Sequence, residues 1–443
     1  MKGAQSDVFH SDIGVLIGDP VSSTFWDLFF ADFKLHPDPD DVLLLNVAMS
    51  HLEHADDMAV VSYTADGLQR HLTTFVRWCG NNMLEANASK SWIMVFGPLP
   101  KSLPTFLLND LTIGYTDCFC YVGVTFESTA KNIFASHYTA KASAVSRAGH
   151  SVLGIEAYIG DLPPKEGRLL YMACIDPHLV SGADIIIDVD DKSLAHLEKV
   201  QHAFLCHLLG LGAYSMCAPL FTELGLVPLC YRRLILALRY LGYLINLAAT
   251  HYAKAALEDS YQLYLKGCQG DWMDLVYALQ NLWFPVTLPA LPELTPEKYT
   301  ALTKEVHIVA MRHLDAEMLH DRLEPLEDEP PKKMTAFLRH YLVLVVNTKH
   351  RKALTRLLVS QHRLAVERMC YKQQVIVPRE DRLCRFGCNH IEMVEHALFF
   401  CSQAGEELLQ YCNAYTTAMQ TTDPRIATVA LWNATNVLRS LIF

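Results

Sequence analysis

The hydrophobic pattern of this chain changes its period near Ser136, and that change constrains the fold more than any other feature. Before Ser136, short apolar runs rich in β-branched and aromatic residues predict strands, with one amphipathic helix over 67–83 between them. After it, long stretches such as 193–212 and 232–248 repeat apolar residues at helical spacing. We therefore predict an α+β fold with small sheets in its amino-terminal part and a mainly helical remainder.

Two stretches of unusual composition predict where the chain divides. Residues 283–296 carry four prolines, and residues 324–333 run from acidic to basic. Both compositions are typical of linkers. The 443 residues are enough for about two to four domains, each with its own core. We predict four segments, with the bounds 1–127, 128–285, 286–333 and 334–443.

Composition excludes several classes of protein. Hydrophobic residues make up 51% and charged residues 19% of the chain, which excludes a disordered protein. The net charge of −11 argues against a dedicated nucleic-acid coat protein. Thirteen scattered cysteines, with no signal peptide at the start, predict a reduced intracellular setting. The most apolar stretch, 234–249, is interrupted by Arg239 and Asn246, so we expect no membrane span. Nothing in the sequence indicates an oligomeric state.

Two adjacent carboxylates, Asp56 and Asp57, are the first candidates for chemistry. They lie in a polar segment between the apolar runs 42–49 and 58–63, so we predict a β-hairpin with both carboxylates at its turn. Carboxylates held in a tight turn can bind a divalent metal, and two-metal phosphoryl transfer uses such groups. For an isolated pair, solvated turn carboxylates without a metal are the commoner explanation.

The surroundings of this pair resemble the palm motifs of reverse transcriptases from non-LTR retrotransposons, especially fungal ones. GVLIGDPVS at 14–22 is similar to motif B, HADD at 54–57 to motif C, NASK at 87–90 to motif D and YVGVTF at 121–126 to motif E. These motifs follow the order of that family, and the helical stretch around 208–211 resembles the region beyond the palm. The resemblance implies a partial palm, a helical thumb-like and connection region, and RNA-directed DNA synthesis.

The resemblance also implies roles for individual residues. Asp56 would bind Mg²⁺ directly, Asp57 would be its neighbour on the primer side, and Lys90 would aid the incoming triphosphate. The residues that would pack against template and nucleotide are Gly18, Asp19 and Ser22. Two Mg²⁺ ions would be the cofactor, with an RNA template and a DNA primer as partners. Without the resemblance, Lys90 is a surface lysine and Ser22 a helix cap.

Several positions depart from the pattern of this family. A third carboxylate belongs to motif A, which precedes motif B, and only thirteen residues precede Gly14. His54 replaces the aromatic residue that opens motif C, Ile17 replaces a glutamine, and Ser23 replaces a proline. We therefore expect no polymerase activity from this chain by itself, because loss of one essential group removes most of the rate. The alternative is a non-catalytic relic that binds nucleic acid or zinc.

A second candidate site lies near the carboxyl terminus. Cys384, Cys388, His396 and Cys401 fall within 18 residues, and these ligand types can hold one tetrahedral Zn²⁺ in a zinc-knuckle-like module. His390 is an alternative third ligand. The competing explanation is a set of free thiols that fill a hydrophobic cluster. Clusters of the CCHC type also occur in polyproteins of non-LTR retrotransposons, which agrees with the resemblance above.

A basic stretch precedes the cysteines. Residues 332–372 contain ten Lys and Arg against the single acidic residue Glu367, a net charge of +9 in a chain of −11. Such a stretch beside a zinc module can lie along a phosphate backbone. A solvated helix face with no ligand explains the same charges equally well.

Overall fold

The computed structural model describes residues 19–213, 215–321 and 336–359, and then 361, 364–366, 369, 377–394, 396, 397 and 401. The chain combines small β-sheets with many helices, in agreement with the predicted α+β class. The strands are β1 (Val42–Leu44), β2 (Val47–Met49), β3 (His51–His54), β4 (Asp57–Val60), β5 (Trp92–Ile93), β6 (Phe106–Leu108), β7 (Leu111–Tyr115), β8 (Cys118–Tyr121) and β9 (Val124–Glu127). The α-helices among the described residues are α1 (Ser22–Phe30), α2 (Ala65–Asn81), α3 (Ala135–Leu153), α4 (Glu156–Ile159), α5 (Pro164–Leu170), α6 (Asp176–Leu179), α7 (Asp191–Leu209), α8 (Cys217–Leu224), α9 (Leu229–Ile245), α10 (Tyr252–Leu265), α11 (Leu275–Gln280), α12 (Pro296–Asp321), α13 (His340–Leu344) and α14 (Thr348–Leu358).

The chain divides into two compact units. The first comprises Met1–His137 and Tyr243–Met273, and the second comprises Tyr138–Gly242 and Asp274–Phe443. The first unit holds the nine strands found among the described residues, and α10 packs against β1 and β2 within it. The four segments expected from composition stay a prediction about domains.

Helix α2 and a three-stranded sheet form one core of the first unit. Strand β7 pairs with β5 in parallel and with β6 antiparallel. The apolar stripe expected over 67–83 is present: Leu72 is buried in one cluster with Phe106 and Ile113 of the sheet, and Leu68 packs against that cluster. Helical spacing therefore predicts both the element and its buried face here.

Two strand-like runs of the sequence, 42–49 and 118–126, form hairpins instead of single strands. The run 42–49 turns back between β1 and β2, with Leu45 in the left-handed region at φ +51°. The run 118–126 turns back between β8 and β9, where Val122 and Gly123 have φ +46° and +79°. The single-run interpretation was wrong because a leucine and a β-branched valine rarely adopt positive φ, so neither residue signals a turn.

The second unit is built from helices. Helix α7 is followed by Gly210, which adopts the left-handed conformation at φ +69° that commonly ends a helix. Within this unit the Tyr171 hydroxyl accepts a hydrogen bond from the Gln201 amide at 2.6 Å, both residues being buried. The predicted helix start at Pro296 is also observed.

A buried ion pair joins the loop between α6 and α7 to α9. Arg233 is 1% exposed, and its Nε donates to an Asp188 carboxylate oxygen at 2.7 Å. The same guanidinium donates to the Leu179 carbonyl at 2.8 Å, and it lies over the Tyr138 ring at 5.4 Å from the centroid. Paired and hydrogen-bonded in this way, the charge can remain buried.

One of the two stretches predicted to be linkers, 283–296, has buried side chains. Val286 and Leu294, within 283–296, are 1% and 8% exposed, so this stretch packs against the second unit instead of running free in solvent. The stretch 324–333 lies outside the described residues.

Among the described residues, no helix combines the length and the apolar character that crossing a membrane demands.

Candidate metal-binding sites

The Asp56–Asp57 pair lies at the end of a tight β-hairpin. Strands β3 and β4 pair antiparallel from His51↔Val60 to His54↔Asp57, which leaves Ala55 and Asp56 as a two-residue turn. Asp56 is therefore in the turn and Asp57 is the first residue of β4, and both side chains are exposed. Because both carboxylates are exposed at the tip, neither has lost its hydration to burial, and a cation can approach both.

The strands expected to flank this turn were partly wrong. The first arm of the hairpin is β3, which lies in the segment assigned to the turn, while the run 42–49 forms the separate hairpin β1–β2. The second arm, β4, begins at Asp57 and ends at Val60. Exposure explains the difference, because only His51 of β3 is partly buried and an exposed strand does not require an apolar run.

The base of the hairpin is held by a short polar chain. The Ser50 hydroxyl and the Nδ1 atom of His51 are 2.8 Å apart, and the Nε2 atom of His51 lies 2.9 Å from a Glu53 carboxylate oxygen. The ring of Phe33 packs edge-on against His51, with 5.2 Å between centroids. The loop before β1 is anchored as well, because the buried His71 of α2 contacts the buried Asp41 at 2.6 Å.

The other residues assigned to nucleotide or template have simpler surroundings. Asp19 accepts a hydrogen bond from the Val21 amide at 2.9 Å, and its carbonyl accepts one from the Ser22 amide at 3.1 Å, so both residues form the start of α1. Lys90 ends a 3₁₀ turn that the Asn87 side chain caps, and it is exposed. Gly18 lies outside the described residues.

Two residues that the sequence analysis did not select contact the carboxylate hairpin directly. The indole Nε1 of Trp26, on α1, donates to the Ala55 carbonyl at 2.7 Å. The Tyr121 hydroxyl, on β8, donates to the Leu52 carbonyl at 3.3 Å. Both donate to backbone carbonyls, which every residue has, so the spacing of residue types in the sequence does not reveal these contacts.

The cysteine and histidine candidates at the carboxyl-terminal end converge. One ligand atom from each of Cys384, Cys388, His396 and Cys401 lies within 4.8 Å of every other. The Cys384 and Cys401 sulfurs are 3.7 Å apart, those of Cys388 and Cys401 are 3.9 Å apart, and the Cys388 sulfur is 3.0 Å from Nε2 of His396. A tetrahedral ion with zinc–sulfur bonds of about 2.3 Å separates two sulfurs by roughly 3.8 Å. The donor set and its spacing therefore fit zinc.

A knuckle in the backbone brings the first two cysteines together. The Gly387 amide donates to the Cys384 carbonyl at 3.0 Å, and the Cys384 amide donates to the His390 carbonyl at 2.8 Å. Gly387 and Asn389 both have positive φ, +77° and +64°. These are residue types that tolerate the left-handed region, so the tight turn is encoded locally.

His390, the alternative ligand, lies beside the cluster. Its ring stacks on that of His396 with 5.3 Å between centroids, and its Nδ1 atom lies 2.9 Å from the Cys388 carbonyl. It is exposed, whereas His396 is 7% exposed and points its Nε2 atom at the Cys388 sulfur. Of the two histidines, His396 therefore has the ligand position.

Burial shifts the pKa values of two of the four ligands in the metal-free chain. Burial raises the pKa of the Cys384 thiol to about 12. Burial lowers the pKa of His396, helped by the neighbouring His390, so its ring is neutral and has a lone pair for a metal.

A buried carboxylate ties the cluster to the preceding segment. Glu392 is fully buried; it accepts a hydrogen bond from the Ala365 amide at 2.5 Å and contacts the Arg385 guanidinium. Arg382 donates to the carbonyls of Val366 and Val377 at 2.6 and 2.9 Å. These contacts lie directly behind the ligands and fix the knuckle to its neighbours.

Four cations in the described part of the basic stretch contact other groups of the protein, while Lys349 is exposed. Arg351 is 6% exposed and donates to the Val345 carbonyl, Lys352 pairs with Asp161 at 2.8 Å, and Arg356 donates to the Gly210 carbonyl at 3.0 Å. Arg339 lies 3.4 Å from Glu223. Arg351 is buried beside the start of its own helix, and the other three residues contact distant parts of the second unit, so neither a phosphate-binding face nor a solvated face describes these four residues.

Comparison with known proteins gives one relative. The chain is 28% identical over 150 residues to the RNA-directed DNA polymerase from mobile element jockey of Drosophila melanogaster. The matched region is 31% of this chain and 15% of that protein, so the chain spans a small part of its relative. No family model matches the chain. The similarity supports a reverse-transcriptase ancestry linked to non-LTR retrotransposons.

Proposed function

We propose that the first unit contains part of a reverse-transcriptase palm and that Asp56 and Asp57 are its metal-binding carboxylates. The observation that carries the proposal is their position at the exposed tip of a two-residue hairpin turn. The order of elements supports it, because hairpin β3–β4 is followed by α2, by the sheet with β7, and by the hairpin β8–β9. The relative is a polymerase that copies RNA into DNA, and its similarity supports the same ancestry.

The proposed roles follow the resemblance described above. Asp56 would bind Mg²⁺ and Asp57 would lie beside it, while the exposed Lys90 is available to a triphosphate. Asp19 and Ser22, at the start of α1, would contact template or nucleotide, as would Gly18. When bound, two Mg²⁺ ions stabilise the charge that develops during phosphoryl transfer. The proposed partners are an RNA template and a DNA primer.

Residues beyond the palm would form the other regions of such an enzyme. We propose that 128–285 is the thumb-like and connection region, that 286–333 joins it to the rest, and that 334–443 carries the zinc module. A carboxylate from another strand is still required, because a two-metal clamp needs ligands from more than one strand. Metal binding at the hairpin is therefore a more direct test than nucleotide incorporation.

Mn²⁺ can replace Mg²⁺ at such a site, and its electron paramagnetic resonance signal reports binding. We expect the full chain to bind Mn²⁺, Mg²⁺ to compete, and Asp56→Asn with Asp57→Asn to abolish the binding. Asp66→Asn is the matched control, since Asp66 is an exposed aspartate on α2. Equal binding by the double variant and the unmodified chain would overturn the assignment of these carboxylates.

A second function is favoured by the cysteine cluster. We propose that Cys384, Cys388, His396 and Cys401 hold one structural zinc, because their ligand atoms lie within 4.8 Å of one another. Zinc held in this way stabilises a small module that has little core of its own. The alternative function for the chain, binding of nucleic acid without catalysis, would use this module.

Cobalt tests the zinc proposal without any assay of activity. Co²⁺ bound by thiolates absorbs visible light, so titration of the metal-free chain with Co²⁺ should give a thiolate-to-metal band that Zn²⁺ removes. The band should persist in Cys268→Ser, because Cys268 is an exposed free cysteine far from the cluster in the sequence. Absence of the band in the unmodified chain would contradict a three-thiolate site.

A further inference from the structure

The carboxylate hairpin receives a hydrogen bond from a tryptophan whose place is set by a rigid aromatic cluster. We propose that Trp26, assisted by Tyr121, is a positioning residue that fixes the Asp56–Asp57 turn for metal binding. This inference deepens the proposed function and rests on it for the metal, whereas its structural half can be tested without metal.

The contact acts on the peptide that carries Asp56. The Trp26 indole N–H donates to the Ala55 carbonyl at 2.7 Å. That carbonyl and the Asp56 amide belong to the same planar peptide unit, so fixing one end fixes the direction in which the chain enters Asp56. Ala55 itself has φ +53°, a conformation that an alanine adopts only at some energetic cost. A turn of this kind needs an external contact to hold it in one conformation.

The hydrogen bond from Trp26 gives a partner to the Ala55 carbonyl, which takes no part in the pairing of β3 with β4. His54 pairs with Asp57, so the carbonyl of Ala55 lies in the turn and outside the strand ladder. The hairpin tip is exposed, and water is the alternative partner for this carbonyl. The indole N–H is a donor with a fixed position, whereas a water molecule at this carbonyl would exchange with bulk solvent.

The indole is itself held by aromatic packing. Trp26 stacks on Phe30, with 5.6 Å between centroids and 22° between planes, and Phe30 packs edge-on against Trp78 of α2 at 4.7 Å. Met58, one residue after Asp57, belongs to the same apolar cluster. The indole nitrogen is therefore linked through side-chain packing to α2, and the turn takes its position from that helix.

A second donor acts on the first arm of the hairpin. The Tyr121 hydroxyl donates to the Leu52 carbonyl at 3.3 Å. Burial raises the pKa of Tyr121, and the charges of Asp57 and Glu53 raise it further, so the phenol keeps the proton that it donates. The hairpin thus receives one hydrogen bond from α1 and one from β8.

The variants Trp26→Phe and Trp78→Phe form a matched pair. Both remove an indole from the same cluster, but Trp78 donates to Asp32 at 3.3 Å and not to the hairpin. We expect Trp26→Phe to speed amide hydrogen exchange of 51–60 by roughly fivefold, the effect of losing one ordinary hydrogen bond. Trp78→Phe keeps a ring that can pack on Phe30 and loses no hydrogen bond to the hairpin, so it should speed exchange in 51–60 less than Trp26→Phe does. Tyr121→Phe, which keeps its ring, should speed exchange in the same segment.

The outcomes separate this inference from the proposed function. Equal acceleration by the two tryptophan variants, or none in Trp26→Phe, would overturn the positioning role, because packing alone would then explain the turn. In Mn²⁺ titrations of the full chain, Trp26→Phe should also weaken binding by roughly fivefold relative to Trp78→Phe. Selective acceleration of exchange in a chain that binds no Mn²⁺ would support positioning of the turn and overturn the metal-binding function.

Discussion

At the scale of single residues, the chain pairs a buried histidine with a buried aspartate and leaves its candidate catalytic carboxylates exposed. His71 and Asp41 are each 3% exposed and lie 2.6 Å apart, whereas Asp56 and Asp57 are exposed at a hairpin tip. The buried pair anchors the loop before β1 to α2, so its contribution is to stability. The exposed pair makes no such contribution, so its carboxylates are available to a ligand.

Asp41→Asn should destabilise the first unit. The substitution keeps the shape of the side chain but weakens a buried hydrogen bond to His71, which typically lowers the free energy of unfolding by about 1–3 kcal/mol. Urea unfolding followed by far-ultraviolet circular dichroism measures the change. Asp110→Asn, at an exposed turn residue with φ +60°, is the matched control and should have little effect. Equal stability of Asp41→Asn and the control would contradict an anchoring role.

Cys388→Ser should abolish zinc binding while Cys268→Ser preserves it. A serine hydroxyl is a poor zinc ligand, and the remaining three donors would leave the site incomplete. Elemental analysis of the purified chains should give one zinc per molecule for the unmodified protein and for Cys268→Ser. Zinc retained at that level in Cys388→Ser would show that the metal is bound elsewhere.

At the scale of elements, apolar periodicity predicts the helices well and the hairpins poorly. The stripe on α2 and the glycine stop of α7 are visible in the sequence because burial on one face repeats at helical spacing. The turns at Leu45 and Val122 are not visible, because their positive φ is imposed by strand pairing and not by local preference. Trp26 was missed for a related reason, since its partner is a backbone carbonyl 29 residues away.

The loop between α6 and α7 depends on one buried charge pair. Asp188→Asn would leave the Arg233 guanidinium, which is 1% exposed, without its anionic partner. Breaking a buried pair in this way typically lowers the free energy of unfolding by about 3–5 kcal/mol. The control is Glu305→Gln, at an exposed position on α12 of the same unit. Chemical denaturation of both variants measures the difference, and similar values for the two would show that the pair contributes little.

At the scale of the whole molecule, the two candidate metals lie in different compact units. The hairpin belongs to the unit with the nine described strands, and the cysteine cluster belongs to the helical unit. The two sites also use different chemistry, since carboxylates prefer Mg²⁺ and thiolates prefer Zn²⁺. The proposal for the first site rests on the hairpin geometry and on the resemblance to reverse transcriptases, whereas the second follows from ligand spacing alone.

Removal of zinc should therefore act locally. Treatment of the zinc-bound chain with a strong chelator should speed amide hydrogen exchange first in 377–401, because the metal is what cross-links the four ligands of this segment. Exchange in 51–60 should not change at the same time. Simultaneous acceleration of both segments would contradict a purely local role for the zinc.

The central claim, that Asp56 and Asp57 form a divalent-metal site, has a direct test in iron-mediated cleavage. Fe²⁺ bound in place of Mg²⁺, with ascorbate and peroxide, releases hydroxyl radicals that cut the nearby backbone. The account predicts fragments that end within 51–60, loss of these fragments with excess Mg²⁺, and their loss in Asp56→Asn but not in Asp66→Asn. Cleavage confined to other segments, or unchanged in Asp56→Asn, would contradict it.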